Sequence, residues 1–287
     1  MRALVLGAGG QLGFALVNAP PPNIEVIALD RSACDVCDSA QLSSAIERTA
    51  PDILVNAAAY TAVDKAESDP LAAERANAVA PRLMAEIASR RGIRLVHVST
   101  DFVFDGRHFR PYKPDDRTNP LSVYGKSKRA GEEAVLAAAP DSLVVRTAWV
   151  YSARGQNFVR TMLRLFSERE TVRVVADQFG TPTHAATLAD ALWGLAQKDV
   201  RGIYHVTDAG SASWYDFAVA ISEEAARAGL LTKPVSVVPI TTAEYPTPAA
   251  RPPFSVLDKD KTWQVLGAPA RHWRSALRDM VGGLRNG

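Results

Sequence analysis

Ala3-Leu4-Val5-Leu6-Gly7-Ala8-Gly9-Gly10-Gln11-Leu12-Gly13 carries the first apolar run of the chain straight into a glycine-rich turn. Four apolar residues before the glycines predict a buried strand, and Gln11-Leu12 after them opens a helix. Gly7, Gly10 and Gly13 are spaced as GxxGxxG, one residue off the GxGxxG fingerprint, with Leu12 at the third position of that register. Without side chains the backbone can turn tightly and approach a pyrophosphate, which the first amides of the helix and its dipole then hold. A glycine-rich hairpin turn is the competing reading, and the preceding strand disfavours it. Gly7, Gly10, Gln11, Leu12 and Gly13 are therefore candidate cofactor-binding residues.

Short apolar runs at Ala3-Leu6, Ile24-Ala28, Ile53-Asn56, Leu95-Val98 and Leu143-Arg146 alternate with longer amphipathic stretches. Strands separated by helices predict an α/β fold of the Rossmann type, a doubly wound parallel sheet with right-handed crossovers. Beyond about Trp149 the rhythm loosens. Pro and Thr gather at Thr181-Pro182-Thr183 and from Pro246 to Pro253, and two amphipathic helices remain. One runs from a capping Ser213 to about Arg227, and the other ends the chain with Trp273, Leu277, Met280, Val281 and Leu284 on one face, so that Trp214 and Trp273 read as core. The expected division is a dinucleotide-binding domain at 1–148 and a smaller substrate domain at 149–287. That boundary is soft, because the chain can cross back onto the sheet near 187–195.

After the second strand stand Asp30 and Arg31. Asp30 suits a ribose 2′-hydroxyl and hence NAD, whereas Arg31 suits a 2′-phosphate and hence NADP, and the residues leave the choice open. Asp35-Val36 is placed to edge the adenine. The same short stretch holds the two cysteines, Cys34 and Cys37, as a lone CxxC. With no second ligand pair, and with Asp35 raising rather than lowering a thiol pKa, two reduced thiols in a cytoplasm are expected and no metal.

The bulk composition excludes other classes. The chain has 287 residues, 47% of them apolar, enough to bury a large core. A formal net charge of +2 from 33 basic and 31 acidic residues makes no electrostatic case for nucleic acid or a membrane surface. No segment approaches the length of a membrane span.

Chemistry enters with Tyr124-Gly125-Lys126-Ser127-Lys128. On a helix, Tyr124 and Lys128 share one face a turn apart, and Gly131 continues that face where a small residue permits close approach. Asn119-Pro120 reads as the helix start, with Asn as cap and Pro at the first helical position. A neighbouring ammonium is expected to favour the phenolate, so that Tyr124 exchanges a proton below its ordinary pKa of about 10. Reducing a ketone needs such a group. Thr100, at the carboxyl end of the fourth strand, is placed to hydrogen-bond the carbonyl beside Tyr124 while Lys128 donates to the nicotinamide ribose.

These stretches together resemble the extended short-chain dehydrogenase/reductases, and among them the dTDP-4-dehydrorhamnose reductases. The resemblance covers nearly the whole chain. It runs through Gly7 to Gly13, Asn56 to Glu67, Ser99-Thr100-Asp101-Phe102-Val103-Phe104, Tyr124 to Lys128, Arg146 to Tyr151 and Asp177 to Thr183. It implies NADPH- or NADH-dependent reduction of the C4 ketone of dTDP-4-dehydro-6-deoxy-L-mannose to dTDP-L-rhamnose, with Thr100, Tyr124 and Lys128 as the catalytic group. It also implies that Ala57, Ala58, Ala59 and Thr61 line the cofactor, that Val63, Asp101 and Phe102 face the substrate, and that Trp149 walls the sugar pocket. Arg251, in Ala250-Arg251-Pro252-Pro253-Phe254-Ser255, falls where the resemblance puts a guanidinium near the sugar diphosphate.

Two departures qualify it. Phe254 replaces the usual Asn of the Arg-Pro stretch, which puts diphosphate binding there in doubt. Ala15 stands where some members carry a Glu of a magnesium-bridged dimer, so no magnesium at such a site and a monomer or weak homodimer are expected.

Three alternatives remain in view. A nucleotide-sugar dehydratase resembles Thr-Asp-Glu at the strand end, and here Phe102 follows Thr100-Asp101, so the second carboxyl is missing. A non-catalytic dinucleotide-binding regulatory subunit need not keep Thr100, Tyr124 and Lys128 together. A reductase of another dTDP-4-keto-deoxysugar uses the same chemistry with a different pocket.

Overall fold

The computed structural model describes residues 1–284, so 285–287 at the end of the expected substrate domain lie outside the described residues. Five strands come from the first half: β1 (Arg2–Leu6), β2 (Glu25–Leu29), β3 (Ile53–Asn56), β4 (Arg94–Thr100) and β5 (Leu143–Thr147). A sixth, β6 (Gly202–His205), returns from beyond residue 148. All six are parallel, in the order β6-β5-β4-β3-β1-β2, and Leu4 stands opposite Ile27 on one side and Leu54 on the other.

A parallel sheet is covered on both faces, which is why these strands read as unbroken apolar runs. Alternate residues divide between two cores. Val5, Val55, Val96 and Val145 face the helices Gln11–Asn18 and Ala185–Ala196, while Leu4, Leu54, Leu95 and Val144 face Ser39–Thr49 and Ala80–Arg91. The helix at Ala185–Ala196 therefore belongs to the sheet layer as β6 does, and the Trp193 indole ties it down by donating to the Leu16 carbonyl at 3.2 Å.

A separate core lies in the second half. It gathers Val159, Phe166, Phe217, Ile221, Trp273 and Leu277 from the helices Phe158–Glu168, Trp214–Arg227 and Trp273–Gly283, over a parallel pair of strands, Thr171–Val175 and Ser236–Ile240. Ser213 caps its helix as its type and place predict, in a reciprocal box with Asp216. No described helix is long and apolar enough to cross a membrane.

The loop that follows β4, between Asp101 and Asn119, is tied to the stretch that follows the loop between Pro246 and Ser255. Tyr112 of one pairs with Val256 and Asp258 beyond the other, at 2.9 and 2.8 Å between backbone groups. Loops tied in this way hold a shape.

Candidate functional site

The strand order reverses beside β1, and ligands of open α/β sheets sit at such a crevice. Gly7 stands there with φ +80°, and a Cβ on it would lie 2.6 Å from the Ala58 amide nitrogen. Gly13 lets the helix meet the turn, since its Cβ would be 2.2 Å from the Gly7 carbonyl oxygen. The turn is pinned to β2 by the Gly7 and Ala8 amides, which donate to the Leu29 carbonyl at 2.9 and 3.1 Å. The outcome is a cleft of about 520 Å³ lined by Gly7, Gly9, Gly10, Arg31, Asp35, Val36 and Ala57 to Ala59. A backbone cradle at a helix N-terminus with an open adenine side fits a dinucleotide.

Several candidates have other attachments here. The Leu12 side chain is buried in the sheet core, and the Gln11 amide accepts from Ser152 at 3.0 Å and Asn157 at 2.8 Å, so both present only backbone to the turn. One Asp30 oxygen accepts from the Ser32 hydroxyl at 2.6 Å and from the Ser32 and Ala33 amides, which holds the carboxyl below its ordinary value. Arg31 extends into the open, 3.9 Å from Asp35. Cys34 and Cys37 are free, and burial first, then Asp35, pushes both thiols above their ordinary value. Thr61 is exposed on the loop after β3, and Val63 packs in the apolar cluster around Tyr124.

Tyr124 and Lys128 lie on the helix Val123–Ala138, as their spacing predicts. Its start differs from expectation. Ser122 is the cap, accepting from the Gly125 amide at 3.1 Å, whereas Asn119 donates to Asp105 at 3.0 Å and Pro120 lies outside the helix. The reason is steric: a Cβ on Gly125 would come within 2.3 Å of the Phe102 carbonyl oxygen, so the helix begins where glycine lets it dock on the turn after β4.

The expected acidity of Tyr124 also needs correction. Burial pushes its phenol up to about 12, Asp101 adds to the rise, and a hydrogen bond with Thr100 opposes it. Lys128 does not bring the phenol down, because its ammonium turns the other way and donates to the Val98 carbonyl at 2.7 Å. Burial pulls that ammonium down to about 8 against the attraction of Glu132. Glu132 in turn holds Arg146 of β5 through two bonds of 2.9 and 2.7 Å, both side chains buried, which locks the helix to the sheet.

Thr100 ends β4 with its hydroxyl accepting from the Phe102 amide at 3.2 Å and donating to Asp101 at 3.1 Å. The Phe102 ring meets Tyr124 edge to face at 5.7 Å. Trp149, after β5, has φ +48°, a strained value for a bulky residue, and stacks on Trp214 with centroids 3.5 Å apart. Trp214, which its helix stripe assigns to the core, is only half-buried and lines a second cleft of about 670 Å³ with Phe158, Gln178, Tyr245, Thr247 and Arg251. The Arg251 guanidinium grips Asp64 at 3.0 and 2.8 Å. Phe254 packs against Val103, Phe104, Tyr112 and Leu257.

Asn77 escapes the reading from sequence. It lies in a single π turn, Arg75–Val79, and holds the loop after β3 by accepting from the Tyr60 amide at 2.9 Å and donating to the Tyr60 carbonyl and the Ser127 hydroxyl, each at 3.0 Å. The available signal was one amide inside the small apolar run Ala76-Asn77-Ala78-Val79-Ala80. Asn56 plays a similar part below it, bonded to the buried His97 ring at 3.0 Å and to the Ala58 amide at 3.1 Å.

Comparison with known proteins follows the same outline. The model of the RmlD substrate binding domain family matches residues 1–286. A dTDP-4-dehydrorhamnose reductase of Aggregatibacter actinomycetemcomitans is 43% identical, over 97% of this chain and 98% of its own. A probable dTDP-4,6-dihydroxy-2-methyloxan-3-one 4-ketoreductase of Streptomyces antibioticus is 47% identical, over 97% and 94%. The structure of dTDP-4-dehydrorhamnose reductase from Bacillus anthracis in complex with NADP superposes with a TM-score of 0.91 at 35% identity, covering 97% of this chain and 98% of that one. With its parallel sheet, glycine turn and Tyr-Lys helix, the chain belongs to the RmlD family, that of the dTDP-4-dehydrorhamnose reductases, and is an oxidoreductase.

Proposed function

We propose that this protein reduces the C4 ketone of dTDP-4-dehydro-6-deoxy-L-mannose to dTDP-L-rhamnose, with Tyr124 as proton donor. The observation that carries the reading is the meeting of Thr100 and Tyr124 at the carboxyl end of β4, with Lys128 one turn along the Tyr124 helix and bonded to the Val98 carbonyl of the same strand. A reduced nicotinamide dinucleotide bound at the turn supplies the hydride. Gly7, Gly10 and the backbone of Gln11 and Leu12 would hold its pyrophosphate, Gly13 letting the helix close on the turn, Ala57 to Ala59 and Thr61 would line it, and Asp35 and Val36 would edge its adenine. With Asp30 committed to its own loop and Arg31 free at the rim, NADPH is the better match for this cleft.

As hydride reaches the carbonyl carbon, charge grows on the oxygen. Tyr124, protonated throughout the neutral range, gives its proton to that oxygen, an alkoxide far more basic than a phenolate, and Thr100 orients it. Lys128 holds the ribose from the other side. Val63, Phe102 and Trp149 would wall the sugar and Asp101 would border it, while Arg251, on the second cleft and held by Asp64, would turn a remaining N–H toward the diphosphate.

Purified protein given the ketosugar nucleotide should oxidise NADPH, and Tyr124→Phe should lower kcat by about a hundredfold or more, the ordinary worth of a general acid. A variant that kept native turnover would remove the proposed donor. The Streptomyces relative supports a second reading, reduction of a different dTDP-4-ketosugar. Turnover compared across ketosugar epimers and across dTDP, UDP and GDP carriers separates the two.

A further inference from the structure

We propose that Asp101 positions the Thr100 hydroxyl through its own protonation: as a carboxylate it captures that hydroxyl, and as a carboxylic acid it turns it toward the substrate carbonyl. The inference rests on the reading of Thr100 as the group that orients the ketone.

A threonine hydroxyl has one proton to give and two lone pairs. Thr100 Oγ1 accepts from the Phe102 amide at 3.2 Å and points its proton at Asp101 Oδ1, 3.1 Å away. A ketone oxygen can only accept, so it competes with Asp101 for that single proton, and a charged acceptor wins over a neutral one. In this state the ketone is left with Tyr124 alone. A proton placed on Asp101 Oδ1 reverses the direction of the bond. Asp101 then donates to the second lone pair of Thr100, and the Thr100 proton is free for the ketone. Ser255 Oγ, 2.5 Å from Asp101 Oδ2, goes on donating in either state, so both carboxyl oxygens keep a partner without any residue moving, and the Tyr124 phenol, otherwise bonded with Thr100, turns its proton to the ketone.

The setting supports this exchange. Thr100 and Asp101 are 6% and 2% exposed, so water does not stand in for either partner. Facing Asp101 are Thr100 and the Phe102 amide at its own strand end, Tyr124 from the catalytic helix, and Ser255, uncharged, from the Arg-Pro loop. Burial raises the Asp101 carboxyl to about 6, against the pull of the bonds from Ser255 and Thr100. Both protonation states are thus populated close to neutrality.

Asp101→Asn tests the idea, because an amide nitrogen in the place of Oδ1 donates to Thr100 permanently while the amide oxygen accepts from Ser255. Native kcat/KM for the ketosugar is expected to fall about tenfold between about pH 5.5 and 7.5, the worth of one hydrogen bond to the carbonyl. The variant is expected to stay nearly level over that range and to exceed the native protein at its upper end. Any fall near pH 8 from Lys128 stays in both. Ser255→Ala removes a donor that favours the carboxylate, so it should move the fall to higher pH. A folded Asp101→Asn protein that declines with pH as the native one does, or that loses activity at every pH, overturns the proposal, and so does an unshifted Ser255→Ala profile. A native protein that reduces no ketosugar at any pH overturns the functional reading and this inference together.

Discussion

Lys128 donates to the Val98 carbonyl at 2.7 Å and feels the charge of Glu132 one turn further along its helix. Neither group is Tyr124, so the part proposed for Lys128 is that of a positioned donor, its charge lasting up to about pH 8. Lys128→Met should raise KM for the dinucleotide by about tenfold, the worth of a charge-assisted hydrogen bond, and abolish a decline in activity above pH 8. A variant that kept that decline would show another group to be responsible. The spacing of Tyr124 and Lys128 was legible in the sequence because it follows from helix geometry alone. The acidity of Tyr124 was not, because burial sets it, and burial comes from Phe102 and Val63, distant in sequence.

At the scale of elements, the site is held by close approaches of backbone that only small residues permit. A Cβ on Gly131 would lie 2.0 Å from the Asn77 carbonyl oxygen, where the helix Val123–Ala138 crosses the π turn that clamps Tyr60. Gly131→Ala must therefore push two helices apart. It should destabilise the protein by about 3 kcal/mol, beyond the usual gain of alanine over glycine in a helix, and lower activity in proportion to the loosened Tyr60 loop. Denaturant unfolding and turnover measured together check both. The glycine was visible as part of the Tyr124 face, but its partner was not, since Asn77 lies 50 residues from Ser127 and a π turn has no sequence period of its own. For the same reason the helix start moved from Asn119 to Ser122: two residue types suited to capping compete locally, and contact with the Phe102 turn chooses between them.

At the scale of the molecule, buried titratable groups of opposite sign set the response to acid. His97 and His205 are held neutral, with burial as the first cause and His205 brought to about 3, so the unfolded chain takes up their protons first. Their contribution is full above pH 6.5 and is lost as pH falls, for His205 toward about 3. Asp101 and Asp208 are raised by burial to about 6 from 3.8, so the folded chain takes up their protons first and gains stability over that window as pH falls. His184 and Asp190 repeat the opposition. The two sets offset each other between pH 6 and 3.8, and below 3.8 the histidines continue unopposed while Asp116, held to about 2 by Arg110, adds its own loss. The urea midpoint is therefore expected to stay nearly level from pH 6 to 3.8 and to drop steeply below it. A steady decline beginning at pH 6.5 would contradict this balance.

By itself the sequence determined the parallel sheet, the glycine turn at its switch point and the Tyr-Lys helix, because alternation along strands, backbone freedom at glycine and the helical turn are local properties. Tertiary structure alone decided the sixth strand from beyond residue 148, the pairing of Arg251 with Asp64, the stacking of Trp149 on Trp214 and the Ser255–Asp101–Thr100 contact. Each of these joins residues far apart in the chain, and their energies depend on desolvation, which has no value until the chain has closed around them.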